Sequence, residues 1–274
     1  MNFSPTIAIW LVLLGVVVGA FGTIVGSGGG FILTPILLLL YPHDRPATIT
    51  AISLTAVFFN AASGSAAYAH QRRIDYRSGL AFATAALPGS IAGALVVGAV
   101  SRSLFDLLMA LVLLALAGWL LIGEPSKPRR PRGQLSHRTM TDRYGKTYDY
   151  DVPLRRGIAY STVVGFASSF LGIGGGIIHV PLLVRALGFP THLATATSHF
   201  VLAIIAGTGA ATHVITDSFA DGHGVRRAIA LSVGVVAGAQ LGARLSLRAS
   251  GRLVEALLGI ALLALAARLF LSVL

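Results

Sequence analysis

The chain reads as long apolar runs separated by short polar turns, with one extended polar stretch near its middle. Four main runs, over 6–25, 47–69, 79–100 and 104–122, precede that stretch; four more, over 157–171, 192–215, 227–247 and 252–273, follow it. Two of the runs continue past a cluster of glycines, over 31–40 and 177–187. A helix needs about 20 mostly apolar residues to cross the hydrocarbon core of a bilayer. The pattern therefore predicts an all-α integral membrane protein with eight main transmembrane helices. It divides the chain into a transmembrane repeat over 1–122, a basic polar loop over 123–156, and a second transmembrane repeat over 157–274.

The two apolar parts match each other. Gly26-Ser-Gly-Gly-Gly-Phe-Ile-Leu-Thr-Pro35 lies over Gly172-Ile-Gly-Gly-Gly-Ile-Ile-His-Val-Pro181 at an offset of 146. Thr50-Ala-Ile-Ser53 lies over Thr195-Ala-Thr-Ser198, Gly89 and Gly93 over Gly234 and Gly238, and Leu113–Ala117 over Leu262–Ala266. Apolar runs coincide by chance, but a G-x-G-G-G-x-x-x-x-P element in corresponding places points to internal duplication. Each element interrupts an apolar stretch too long for one straight helix at 1.5 Å per residue. The first helix of each half is therefore expected to break at its glycines, with a second arm closing near Pro35 or Pro181.

Backbone that leaves helical form at membrane depth frees N–H and C=O groups, which lipid cannot satisfy. A helix arm starting after such a break presents free N–H groups and a positive dipole end, which suits an anion. Candidate binding residues are thus Gly26, Ser27, Gly28, Gly29 and Gly30, with Gly172, Gly174, Gly175 and Gly176. Tight helix crossing is the alternative use of these glycines. Hydroxyls on the following segment, Thr50 and Ser53 with Thr195 and Ser198, either donate to an oxyanion or bond back to their own helix. Asn60, His179 and His199 are polar groups in apolar surroundings, where polar groups are by default functional candidates. Histidine titrates near neutral pH, so His179 or His199 is positioned to carry a proton with the anion, or else to pack helices.

Composition narrows the class further. Only 11% of residues are charged, 55% are hydrophobic and the mean hydropathy is +0.79; soluble domains carry about 25% charge. The absence of cysteine excludes disulfides and thiolate metal sites. The net charge of +11 does not point to nucleic acid, because nine of the 21 basic residues lie between Lys127 and Arg156 and the rest flank apolar runs. With eight crossings, 15 Lys and Arg share one side and 6 the other. The positive-inside rule then puts both termini and the central loop in the cytoplasm of a cell inner membrane. Reversal at each glycine break would instead invert the halves. Within the loop, Arg138–Val152 alternates around Tyr144-Gly145 like a β-hairpin, after a linker holding Pro125, Pro128 and Pro131. No nucleotide-binding, zinc-protease or nucleophile-elbow motif is present, and no paired carboxylates lie inside a segment. ATP-driven pumping and enzymatic activity lose support, and nothing calls for a cofactor.

The paired elements, Gly22-Thr-Ile-Val-Gly-Ser-Gly-Gly-Gly-Phe-Ile-Leu-Thr-Pro35 and Phe170-Leu-Gly-Ile-Gly-Gly-Gly-Ile-Ile-His-Val-Pro181, resemble those of the TauE/SafE family of sulfite exporters. The likeness extends over two similar four-segment halves, each opened by the glycine element. It implies a multi-pass secondary carrier exporting sulfite or an organosulfonate such as sulfoacetate, working by alternating access between the halves. Ser27 stands where the second element has Ile173, so the two sites need not be equivalent. A passive anion channel is one alternative. A metal-cation carrier using His179, His192, His199 and His213 is another.

Overall fold

The computed structural model of the protein describes residues 4–122, 135–219, 222–246 and 251–271. The linker within 123–134 lies outside the described parts. The first half gives helices α1 (Pro5–Val25), α2 (Gly30–Leu40), α3 (Pro46–His70), α4 (Tyr76–Val96) and α5 (Arg102–Ile122). A two-stranded hairpin, β1 (Ser136–Thr141) and β2 (Thr147–Val152), follows. Then come α6 (Leu154–Leu171), α7 (Gly176–Pro181, continued by a π turn over Leu182–Ala186), α8 (Thr191–Ile215), α9 (His223–Leu245) and α10 (Gly251–Leu271). Among the described residues five helices, α1, α3, α4, α8 and α9, are long and apolar enough to cross a membrane. The other three segments that the pattern predicts as spans, α5, α6 and α10, are helical over 21, 18 and 21 residues.

Local chemistry sets the helix ends. Ser4 accepts the Ile7 N–H and Pro5 opens α1; Asp75 accepts the Ser78 N–H at 3.0 Å and opens α4. Glycines in left-handed conformation stop α1 at Gly26 and α6 at Gly172. Pro35 does not close α2, which runs five residues further to Leu40. Proline removes one hydrogen bond, and helices inside a membrane bundle tolerate that loss when packing holds the flanks. Pro181 does mark a change, because α7 loosens there into the π turn.

Named contacts give the direction of each helix. Asn60 and Tyr68 on α3 bond the carbonyls of Gly19 and Thr23 on α1, so α1 and α3 run in parallel. Thr34 on α2 meets Ser53 on α3 while Gly30 meets Val57, so α2 runs back. Thr50 lies against His213 and Gly64 against His199, which makes α3 and α8 antiparallel. Small residues let backbones touch between α1 and α9, where a Cβ on Gly234 would stand 2.1 Å from the Val12 carbonyl oxygen. The same contact joins α4 and α6, where a Cβ on Gly89 would stand 2.2 Å from that of Thr162. Gly89 and Gly234, matched by the sequence alignment, thus perform the same helix-crossing task in exchanged partners.

The hairpin is docked. Asp142 pairs with Arg73 at 3.0 Å, Arg138 approaches Asp75 at 3.6 Å, and the Tyr150 hydroxyl donates to Asp75 at 3.0 Å. Burial pushes the Asp142 carboxyl up, but the N–H groups of Lys146 and Tyr144 and the Arg73 guanidinium outweigh it and hold it below the ordinary carboxylate value. Tyr148, Tyr150 and Val152 join Phe82, Leu187 and Phe189 in one buried cluster. The hairpin therefore sits at the C-terminal end of α3, opposite the end where α1 begins. The sequence pattern predicts the termini and the central loop on one side; the return of α2 after the first glycine break and of α7 after the second separates them, because each adds a reversal to its half.

Candidate functional site

The two glycine breaks meet in the middle of the bundle and cross. Each is an elbow made by three left-handed residues, Gly26, Gly28 and Gly29 in one and Gly172, Gly174 and Gly175 in the other, with φ between 66° and 84°. For any residue with a side chain, each such position would cost about 1–2 kcal/mol. Gly30 and Gly176, which start α2 and α7, have ordinary φ and are glycine for a different reason. A Cβ on Gly30 would stand 2.7 Å from the Ile173 carbonyl, and one on Gly176 would stand 2.5 Å from Ser27 Cα. Two backbones approach there too closely for a methyl group.

Hydroxyls from the neighbouring helices occupy the elbow carbonyls. The Gly172 oxygen accepts from Ser53 and from Thr34, both at 2.8 Å, and the Gly26 oxygen accepts from Ser198 at 3.3 Å. Ser27 is buried and bonds back to the Gly22 carbonyl at 3.4 Å. Thr195 presses its methyl against Gly26, and Thr50 lies against Gly172 in the equivalent place. The backbone N–H groups of Gly29, Gly30 and Phe31, and those of Gly175 and Ile177, donate to no acceptor among the described residues. The Gly26 and Gly172 oxygens are thus occupied, while the N–H groups of these five residues have no acceptor among the described residues. Val57 and Leu202 fill the space beside both Gly28 and Gly174, and both are buried, so the crossing is sealed.

Other expected residues lie away from the crossing. Asn60 donates to the Gly19 and Val235 carbonyls and accepts from Thr23, so its amide ties α1, α3 and α9 together. His179 points back at Ser161, with 3.4 Å between Nε2 and the hydroxyl, and meets Phe82 edge to face. His199 is fully buried against Tyr68, and its ring nitrogens have no hydrogen-bond partner among the described residues. His179, His192, His199 and His213 are not gathered. No group of three or more metal-binding side chains exists among the described residues.

Sequence reasoning missed Thr34, Val57 and Leu202, and offered His213 only as a metal ligand. Thr34 stood inside the glycine element, one residue before its proline, and was the readable signal. Val57 and Leu202 occupy equivalent positions of the duplication, at the offset that pairs Ser53 with Ser198. As apolar residues in apolar helices they carry no signal of their own. His213 belongs to a buried polar chain: its Nε2 lies 3.3 Å from the Thr50 hydroxyl and its Nδ1 3.0 Å from that of Ser218.

Comparison with known proteins adds to this geometry. A model of the sulfite exporter TauE/SafE family matches residues 11–269. The chain is 31% identical over 212 residues to the probable membrane transporter protein YunE of Bacillus subtilis, covering 75% of this chain and 78% of that protein. It is 33% identical over 172 residues to a probable membrane transporter protein of Xylella fastidiosa, covering 61% and 59%. It is 26% identical over 193 residues to the probable membrane transporter protein MJ0441 of Methanocaldococcus jannaschii, covering 69% and 65%. No solved structure matches the chain.

Proposed function

The chain belongs to the TauE/SafE sulfite exporter family, and from that footing we propose that it is a secondary carrier exporting a small sulfur-containing anion, sulfite or an organosulfonate, across the cell inner membrane. The observation that carries this reading is the crossing of two elbows at which the Gly26 and Gly172 carbonyls are occupied by hydroxyls while the N–H groups of Gly29, Gly30, Phe31, Gly175 and Ile177 have no acceptor among the described residues. Free backbone donors enclosed in a low-dielectric bundle favour a negative ligand. The Thr50, Ser53, Thr195 and Ser198 hydroxyls surround the same place and turn toward an oxyanion once it displaces their present acceptors. The residues before and after the hairpin act as inverted repeats, and rocking of one against the other alternates access. Val57 and Leu202 must part for the anion to pass, which favours a gated carrier over an open channel. Proton movement accompanies the anion.

Basic residues orient the molecule. Among the described residues Arg72, Arg73, Arg77, Arg138, Arg143, Lys146, Arg155, Arg156, Arg185 and Arg244 lie at the hairpin end, against Arg45, Arg102, Arg226, Arg227 and Arg268 at the other. That asymmetry supports an orientation with the hairpin in the cytoplasm and the start of α1 outside.

Leucine at Gly29 and at Gly175 tests the site. Both variants are expected to insert and to lose anion flux in proteoliposomes; wild-type flux by both would overturn the reading.

A further inference from the structure

We propose that His213 carries the coupling proton between a pocket at the outer end of the bundle and the second glycine elbow. The inference rests on the reading of the protein as a proton-coupled anion carrier and assigns the residue that performs the coupling.

The pocket, about 480 Å³, opens beside the N-terminal ends of α3 and α5 and is lined in part by His43, Arg45, Arg102, Thr216 and Ser218. From it a chain of hydrogen bonds runs inward. The Thr216 and Ser218 hydroxyls are 3.1 Å apart, Ser218 is 3.0 Å from His213 Nδ1, and His213 Nε2 is 3.3 Å from the Thr50 hydroxyl. Thr50 then packs its Cα, Cβ and methyl group on Gly172, its hydroxyl lying on the His213 side. His213 and Thr50 are fully buried and Ser218 is nearly so. The bonding fixes the tautomer. The single Thr50 hydroxyl proton goes to the Pro46 or Ala47 carbonyl, each at 3.0 Å, so Thr50 accepts from Nε2–H. Nδ1 is left to accept from Ser218.

A proton entering from the pocket binds Nδ1 while the Ser218 hydroxyl turns to accept from it. The imidazolium releases its Nε2 proton to the Thr50 oxygen, and Thr50 turns from the Pro46 and Ala47 carbonyls to give its own hydroxyl proton to the oxyanion held at the second elbow. In the export direction the anion returns that proton along the same chain to the pocket. One proton enters and one leaves; the neutral ring resets by turning over. The charged groups around it are engaged elsewhere or stand at the mouth. Asp44 pairs with Arg227 and Arg102 with Asp106. His43 and Arg45 line the pocket, Asp217 precedes Ser218, and His223 and Arg226 open α9. On the inner side, His179 of α7 is bonded to Ser161. Within hydrogen-bond reach His213 has hydroxyls only.

The duplication sharpens the point. At the offset that pairs Thr50 with Thr195, His213 falls on Tyr68, which donates to the Thr23 carbonyl. The proton path therefore exists on one end alone. His199, a second buried histidine of α8, has no such chain.

The test uses proteoliposomes of the full chain with a pH dye inside, loaded against sulfite and against sulfoacetate, whose sulfonate stays charged. A one-unit pH gradient is expected to drive about tenfold accumulation by the wild type for one proton per anion. His213→Gln is expected to show no gradient-driven accumulation, and Ser218→Ala, which opens the chain outside the elbow, a slowed dye response with downhill flux intact. Gradient-driven accumulation by His213→Gln overturns the inference and leaves the carrier reading standing. If His213→Gln fails to fold, wild-type dye response by Ser218→Ala overturns it equally. Absence of saturable flux of both anions in the wild type overturns the carrier reading itself, and the inference with it.

Discussion

Replacing Gly176 by alanine places one methyl group where the two elbows cross. The new Cβ would stand 2.5 Å from Ser27 Cα and 2.7 Å from the Gly26 carbonyl oxygen. Carbon atoms pack at about 3.5–4.0 Å, so the elbows must separate by roughly 1 Å. The backbone itself is indifferent, since Gly176 is not among the glycines with positive φ, and alanine is a better helix former by up to ~1 kcal/mol. Overpacking of a tight core costs about 1–3 kcal/mol, which is a factor of about 5–150 in an equilibrium. The penalty falls on the one place where α2 and α7 start against each other. Gly118→Ala is the matched control, because nothing lies within 4 Å of its Cβ position. Reconstituted flux and melting temperature are measured on both. Gly176→Ala is expected to lose most of its flux with a melting temperature lowered by about 2–4 °C per kcal/mol, and Gly118→Ala to behave as wild type. Wild-type flux and melting by Gly176→Ala would refute the crossing.

Three further outcomes are expected. Gly234→Val, whose side chain would meet the Val12 carbonyl at 2.1 Å, should prevent α9 from packing on α1 and abolish the monodisperse peak in detergent gel filtration. The Asp142 carboxyl is held below its ordinary value in the folded state, so its stabilisation of the docked hairpin is present above about pH 4 and lost as pH falls through the lowered value. An acid-active protease should therefore cut the hairpin only at the acid end of that window, while Asp142→Asn, which breaks a buried ion pair with Arg73 costing about 3–5 kcal/mol, should be cut by neutral proteases as well. Because the chain has no cysteine, Tyr144→Cys and His43→Cys report sidedness directly: a membrane-impermeant maleimide added to intact spheroplasts should label His43→Cys alone, and labelling of Tyr144→Cys instead would reverse the orientation.

The paired glycine element made both elbows legible, because three glycines in an apolar run have few uses at membrane depth. The hairpin was legible from alternation around Tyr144-Gly145, and it forms there with Gly145 at φ 81°. Helix direction was not. Whether the chain reverses after Gly26 depends on the contacts of α2 with Val57 and Ser53, which lie far along the sequence. Pro35 misled for a local reason, since proline's usual effect on a helix is offset here by the packing around α2. Asn60 and His179 carried the polarity expected of a site but satisfy helix carbonyls and a serine. His213 was legible only as a metal-ligand candidate, because its partner Thr50 lies 163 residues away.

The most direct test of the central claim is uptake of sulfite, sulfoacetate, sulfate and chloride into proteoliposomes of the wild-type protein, each with and without a proton gradient. Saturable flux of sulfite or sulfoacetate, exceeding that of chloride and responding to the gradient, is the result expected of a coupled sulfur-anion carrier. Flux of none of the four anions above protein-free vesicles would contradict it.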